Sequence, residues 1–163
     1  MSVTGTPTVE SIEAPRGLRM AVVLEPGRRG AATIAYAAAL GATTGSELTV
    51  VALAPMVGTV CRSCGGVSAR AYNCAVRDDV ADELQKAVAS LTAITPRIKS
   101  RLLVEGTDPP LERWIPQGRF DLVVLPSRWR LFHSHRHPAA RRLRRHTDAT
   151  IRVVGRLQRQ ARP

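Results

Sequence analysis

FDLVVLPSRWRLFHSHRHPAARRLRRH, residues 120–146, runs from a strand-length apolar segment through a cationic, histidine-rich turn into a basic helix, and its reading decides the fold. FDLVVL is apolar apart from Asp121, the pattern of a central strand in a parallel sheet covered on both faces. All four histidines of the chain lie in the quoted stretch. Between Arg128 and Arg162, eleven arginines face one acid, Asp148, so this segment carries ten of the eleven formal positive charges. An account of function must say what it binds.

The composition narrows the choices. A chain of 163 residues with 44% apolar residues is long enough for a single domain with its own core. No apolar run approaches the roughly 18 residues of a membrane span, and MSVTGTPTVESIEAPRG at the N-terminus lacks the basic start and apolar core of a secretion signal, so a cytoplasmic protein is expected. Three cysteines, an odd number, point to reduced thiols, a metal site or redox chemistry over a disulfide framework. A pI near 11.2 implies anionic partners, nucleic acid or acidic protein among them.

Taken in order, residues 1–17 read as an arm, polar and without apolar period. Residues 18–24 (LRMAVVL) predict a buried strand ended by Glu25-Pro26-Gly27, and the alanine-rich stretch 31–44 predicts a helix with Gly45 as its left-handed stop. Another strand is expected at 47–55, followed by a long loop with Cys61 and Cys64, the insertion as a whole spanning 56–75. Val76, Val80, Leu84, Ala87 and Leu91 then form one stripe, which predicts an amphipathic helix over 76–91 with acids early and a lysine late to suit the helix dipole. Residues 98–105 predict a strand. In the turn after it Asp108 is expected to cap, and Pro109 or Pro110 to open, a short helix ending near Gly118. The strand 120–125, a helix over 139–146 and a last strand at 150–154 complete the domain, and 157–163 is a basic tail. Strict alternation of strand and helix predicts an open doubly wound α/β sheet, with ligands outside the carboxyl ends of its strands.

Three segments carry a family likeness: TGSELTVVAL (residues 44–53), VEG (104–106) followed by a short helix and FDLVVL, and HTDATIRVV (146–154). Over residues 18–156 the chain resembles the universal stress protein family. The resemblance implies a five-stranded parallel sheet in the order 3-2-1-4-5, a homodimer through the last strand and, in one branch, ATP binding. That branch has an acid at the end of the first strand, where this chain has Glu25, and a glycine pattern G-x2-G-x9-G-(S/T) after the fourth. Here Pro126 and Trp129 replace the first two glycines, and neither Ala139-Ala140 nor His137-Pro138 supplies the closing pair. A phosphate cradle needs backbone N–H groups at close range, and proline has none to give. Ordinary ATP binding is therefore not expected. Glu25, Ser127, Arg128 and Arg130 remain as a degenerate nucleotide or anion site, since guanidinium groups suit phosphate oxygens.

Cys61-Arg-Ser-Cys64-Gly-Gly with Cys74 gives C-x2-C-x9-C. Such a turn can hold two thiolates on one tetrahedral ion, and the topology brings the loop after the fourth strand to the same sheet edge, so His133, His135 or His137 could complete a zinc site, an iron–sulfur cluster being the lesser choice. Cys61 and Cys64 as a redox pair, or cysteines with no role beyond packing, are the alternatives. Around the basic helix, Trp129, Arg141, Arg142, Arg144 and Arg145 form an expected docking surface for an acidic protein or for nucleic acid. No nucleophile–base order, paired carboxylates or Walker pattern is present, so the expectation is a non-catalytic binding subunit, with a phosphate-ligand sensor and a redox protein as alternatives.

Overall fold

The computed structural model describes residues 17–25, 30–58, 68–127 and 138–155. They form, in order, β1 (Arg19–Leu24), α1 (Ala31–Thr44), β2 (Glu47–Ala54), α2 (Ala69–Thr92), β3 (Ile98–Val104), α3 (Leu111–Gln117), β4 (Leu122–Pro126), α4 (Pro138–Leu143) and β5 (Thr150–Val154). The strands make one parallel sheet in the order β3-β2-β1-β4-β5, as the family likeness implies.

The continuous apolar runs have the meaning that parallel sheets give them, burial on two sides. Met20, Val22, Leu48, Val50, Ala52 and Val124 face the core beneath α1 and α2. Ala21, Val23, Val51, Val123, Leu125 and Ile151 face a second core beneath α3 and α4. From α1 the buried residues are Thr33, Ala37 and Gly41, small side chains that let the helix lie close to the sheet, and from α2 they are Val80, Leu84, Ala87 and Leu91, members of the expected stripe. Full burial of each large aliphatic side chain is worth about 1.5–3 kcal/mol, so these two cores dominate the stability of the fold. Gly45 ends α1 with φ 60°, and the chain before β1 crosses that turn so closely that a Cβ on Gly17 would lie 2.6 Å from the Gly45 carbonyl oxygen.

Asp121, the lone polar residue of FDLVVL, ties three strands at the amino edge of the sheet. Its N–H donates to the Arg19 carbonyl (2.8 Å), its Oδ2 accepts the Arg19 N–H (2.7 Å), and its carbonyl accepts the Thr150 N–H (2.9 Å). At the same edge Glu47 accepts a hydrogen bond from Lys99 and lies 3.9 Å from Arg19. The Lys99 hydrogen bond holds the Glu47 carboxyl below its ordinary pKa, against an opposing desolvation and with the charges of Lys99, Arg19 and Arg97 adding to the lowering.

Four local expectations are corrected. α2 begins at Ala69, not 76, because Ser68 caps it by accepting the Ala71 N–H (3.2 Å), and ARAYNC propagates as helix without an apolar stripe. With the earlier start, Asp78, Asp79, Asp82 and Glu83 fall mid-helix, neither end turn carries a suitable charge, and the expected dipole complement is lost. Asp108 does not cap α3; its Oδ2 accepts the Val104 N–H (2.9 Å) and its Oδ1 a hydrogen bond from Arg101 (2.9 Å). α4 ends at Leu143, and Arg144 to His146 continue as a hydrogen-bonded turn.

Glu47 supplies a pH test. A carboxyl with a lowered folded pKa stabilises the fold above its unfolded value, about 4.3, and that contribution is lost as pH falls through the folded value. Glu47→Gln is expected to lower the urea midpoint at pH 7, and the gap from the parent protein should close as the solution is acidified below the folded pKa.

Candidate functional site

The carboxyl ends of β1, β2 and β3, with the start of α3 and one side of α4, enclose a cleft of about 550 Å³. This is the edge at which doubly wound sheets place ligands, and the volume is within the range of small-molecule sites. Leu53, Ala54, Pro55, Leu103 and Leu111 give it an apolar lining, while Glu25, Glu105, Asp108, Glu112 and Arg142 supply its charges.

The turn between β3 and α3 shapes one wall. Gly106 takes φ +79°, a left-handed conformation that costs other residues about 1–2 kcal/mol. The Asp108 and Thr107 N–H groups donate to the Val104 carbonyl (2.9 and 3.2 Å), and the Asp108 side chain returns to the Val104 N–H, so the turn is closed from both directions. Glu105 is held between β2 and the segment after it: its N–H donates to the Ala54 carbonyl (3.0 Å) and its Oε2 accepts the Met56 N–H (3.2 Å). Beyond that turn, Glu112 of α3 pairs with Arg142 of α4. Among the described residues, the charged groups lining the cleft are thus four carboxylates and one guanidinium, and that guanidinium is already bound to one of the four.

Of the residues singled out in the sequence, Glu25 directly follows β1 and lines the cleft. Ser127 follows β4, where its N–H donates to the Val154 carbonyl (2.8 Å), and is not among the lining residues. Arg141, Arg144 and Arg145 are exposed, whereas Arg142, expected on the docking surface with them, forms part of the cleft wall. Cys74 lies within α2 and is exposed, not packed before a helix. One residue earlier, the Asn73 amide clamps Val57, accepting its N–H and donating to its carbonyl, both at 3.0 Å. Arg128, Trp129, Arg130, Cys61, Cys64, His133, His135 and His137 lie outside the described residues. Among the described residues no three His, Cys, Asp or Glu side chains are grouped to hold a metal ion. Glu105, Asp108 and Glu112 were missed as cleft residues, although Glu105 and Gly106 stand in the VEG segment that carries the family likeness.

The comparison with solved structures agrees with the fold. A universal stress protein family member from Burkholderia pseudomallei superposes with a TM-score of 0.62 at 21% identity, covering 86% of this chain and 98% of that one. The fold is that of the universal stress proteins. The universal stress protein UspA of Lactobacillus plantarum gives a TM-score of 0.63 at 14% identity, over 86% of this chain and 99% of that one. One from Archaeoglobus fulgidus, solved in complex with dAMP, gives 0.56 at 15% identity, over 85% and 98%. No protein-family model matches the sequence, and no curated protein does. Within the universal stress protein fold this chain has Pro126 as the final residue of β4, in register with Val154, and no helix among the described residues is long and apolar enough to cross a membrane.

Asp108→Ala removes the acceptor of the Val104 N–H as well as the Arg101 partner, and should destabilise the protein by about 1–2 kcal/mol in urea titrations. Arg101→Ala removes only the exposed ion pair and should cost less than about 1 kcal/mol.

Proposed function

We propose that this chain is a non-catalytic binding subunit whose carboxyl-edge cleft takes a nucleoside-like ligand without a polyphosphate tail, and whose arginine-rich segment docks an anionic partner. The observation that carries the reading is the cleft itself: an apolar lining charged by Glu25, Glu105, Asp108 and Glu112 against the paired Arg142. Carboxylates accept hydrogen bonds from sugar hydroxyls and amino groups, while several of them in one cleft repel a polyphosphate. Solved neighbours of the same fold bear nucleotides, dAMP in the Archaeoglobus fulgidus protein and cAMP in another. In this chain Pro126 and Trp129 stand where ATP-binding relatives are expected to have glycines. The subunit pairs with a second copy through β5, which ends the sheet, as the family resemblance implies.

Calorimetric titration with adenosine, AMP and ATP tests the cleft. Adenosine or AMP is expected to bind, ATP at least tenfold more weakly, and Glu25→Gln with Glu105→Gln to weaken adenosine about tenfold, equivalent to about 1.4 kcal/mol. Tighter binding of ATP than of adenosine would overturn the loss of the phosphate cradle, and no binding of any of the three would overturn the cleft assignment.

A second reading is favoured by Cys74. Its exposed thiol sits early in α2, next to the Asn73 clamp on Val57, and in the sequence Cys61 and Cys64 fall between Gly58 and Ser68. Cys61, Cys64 and Cys74, with one of His133, His135 and His137, would hold zinc as a structural brace for that loop. Elemental analysis of the native protein should then find one zinc per chain. Its absence, with Cys61 and Cys64 titrating as free thiols or as a disulfide, would leave the redox alternative in its place.

A further inference from the structure

The docking surface is a phosphate-backbone site for nucleic acid, we infer, built from Arg113 of α3 together with Arg141, Arg144 and Arg145 of α4 and its following turn, with Arg142 excluded. This inference rests on the docking half of the function proposed above and names its partner.

Helical geometry sorts the arginines. Ala139, Ala140 and Leu143 are buried, so at about 100° per residue Arg141 and Arg145 fall on the outer side of α4, with Arg144 on one flank and Arg142 on the other. The turn keeps this direction, because the Arg144 N–H still reaches the Ala140 carbonyl (3.1 Å) and the Thr147 N–H the Leu143 carbonyl (3.1 Å). The Arg142 flank meets α3, where Glu112 neutralises it. In α3, Leu111 and Ile115 are buried, which puts Arg113 on the outside, beside Glu112 in sequence. The outer surface of this two-helix layer is therefore cationic.

Unpaired exposed cations occur elsewhere too, Arg70, Lys86, Arg97, Arg119 and Arg152 among the described residues, but α3 and α4 with its following turn bring four of them to one layer. Arg19, Arg77, Lys99, Arg101 and Arg142 each have an acidic partner. Arg113, Arg141, Arg144 and Arg145 have none among the described residues and are exposed. Arg141 and Arg145 stand four residues apart, about 6 Å along a helix, so they can take separate phosphates of one strand.

The chemistry of the surface favours a polyphosphate backbone over an acidic protein or a lipid surface. Protein interfaces are anchored by buried aromatic and apolar side chains, and interfacial helices insert an apolar face below their cations. The large hydrophobic side chains exposed among the described residues are Tyr72 in α2 and Ile94 just after it, in the layer on the other side of the sheet. Besides Gln117 and Pro138, what α3 and α4 expose is guanidinium, and such a surface suits sequence-independent phosphate contacts.

The test uses the full chain and a short random-sequence DNA duplex, with affinity followed by fluorescence polarisation through a salt series. Four contacts at about 0.9 each predict a log–log salt slope of about −3.6 or steeper. Arg113→Gln, Arg141→Gln and Arg145→Gln together should lower affinity at least tenfold and flatten the slope by about three. Arg70→Gln, Arg77→Gln and Lys86→Gln, which remove the same charge from α2, should change affinity by less than about threefold, with circular dichroism confirming that both variants are folded. Equal losses in the two triple variants would overturn the site, because net charge alone would then explain binding. Anionic vesicles or polyglutamate bound as tightly as the duplex would overturn nucleic acid as the partner while leaving the docking surface in place. Failure to bind any of these polyanions would overturn both.

Discussion

Met20, Ala21 and Val22 of β1 are each in register with two neighbours, Met20 with Leu48 and Leu122, Ala21 with Thr49 and Val123, Val22 with Val50 and Val124. Parallel pairing in this register makes side-chain parity common to the sheet, and a slip of one residue would exchange the two faces of a strand. Even-numbered residues such as Leu48, Leu102 and Val154 accordingly meet the α1 and α2 core, and odd-numbered ones such as Leu53, Leu103 and Val153 meet the α3 and α4 core. The same pairing gathers the carboxyl ends of the strands at one edge. There Glu25, Ala54 and Val104, far apart in sequence, become lining residues of one cleft.

The division between cleft and outer surface runs through α3 and α4. Glu112 and Arg142 face each other across the two helices, and their pairing withdraws one acid and one base from further binding. On the cleft side of that pair the remaining charges are carboxylates, and on the outer side they are guanidinium groups. A net charge of +11 therefore does not characterise the described lining of the cleft, where carboxylates outnumber guanidinium groups. The proposed cleft ligand and the proposed docking surface would thus share a layer of two short helices, with this ion pair between them.

How far the sequence could be read depended on whether the signal was local. Alternating strand and helix, with turn chemistry between them, was enough for the doubly wound sheet, and α1 runs over residues 31–44 as its alanines and Gly45 predict. Glu25 was legible as a cleft residue because it directly follows an apolar run. The start of α2 was not, since Ala69 to Ala75 carry no apolar stripe and their helicity follows from the Ser68 cap and propagation from the helix beyond. Asp108 looked like a helix cap because it precedes two prolines, yet a tertiary arrangement, the Val104 N–H and the Arg101 guanidinium, satisfied it instead. Arg142 could not be told from Arg141 or Arg144 in AARRLRRH, because its distinction is a neighbour thirty positions away.

The two layers over the sheet are unequal. α1 and α2 span 14 and 24 residues, α3 and α4 only 7 and 6, and α3 carries Pro116, which removes a backbone donor from its last turn. Helices this short have little stability of their own and depend on a few buried side chains, here Leu111, Ile115, Ala140 and Leu143. Cooperative units with few apolar contacts open at free energies well below that of global unfolding. Sub-global opening is therefore least costly in the layer that walls the cleft, and its amide protons should exchange with solvent ahead of those of α2 and the central strands.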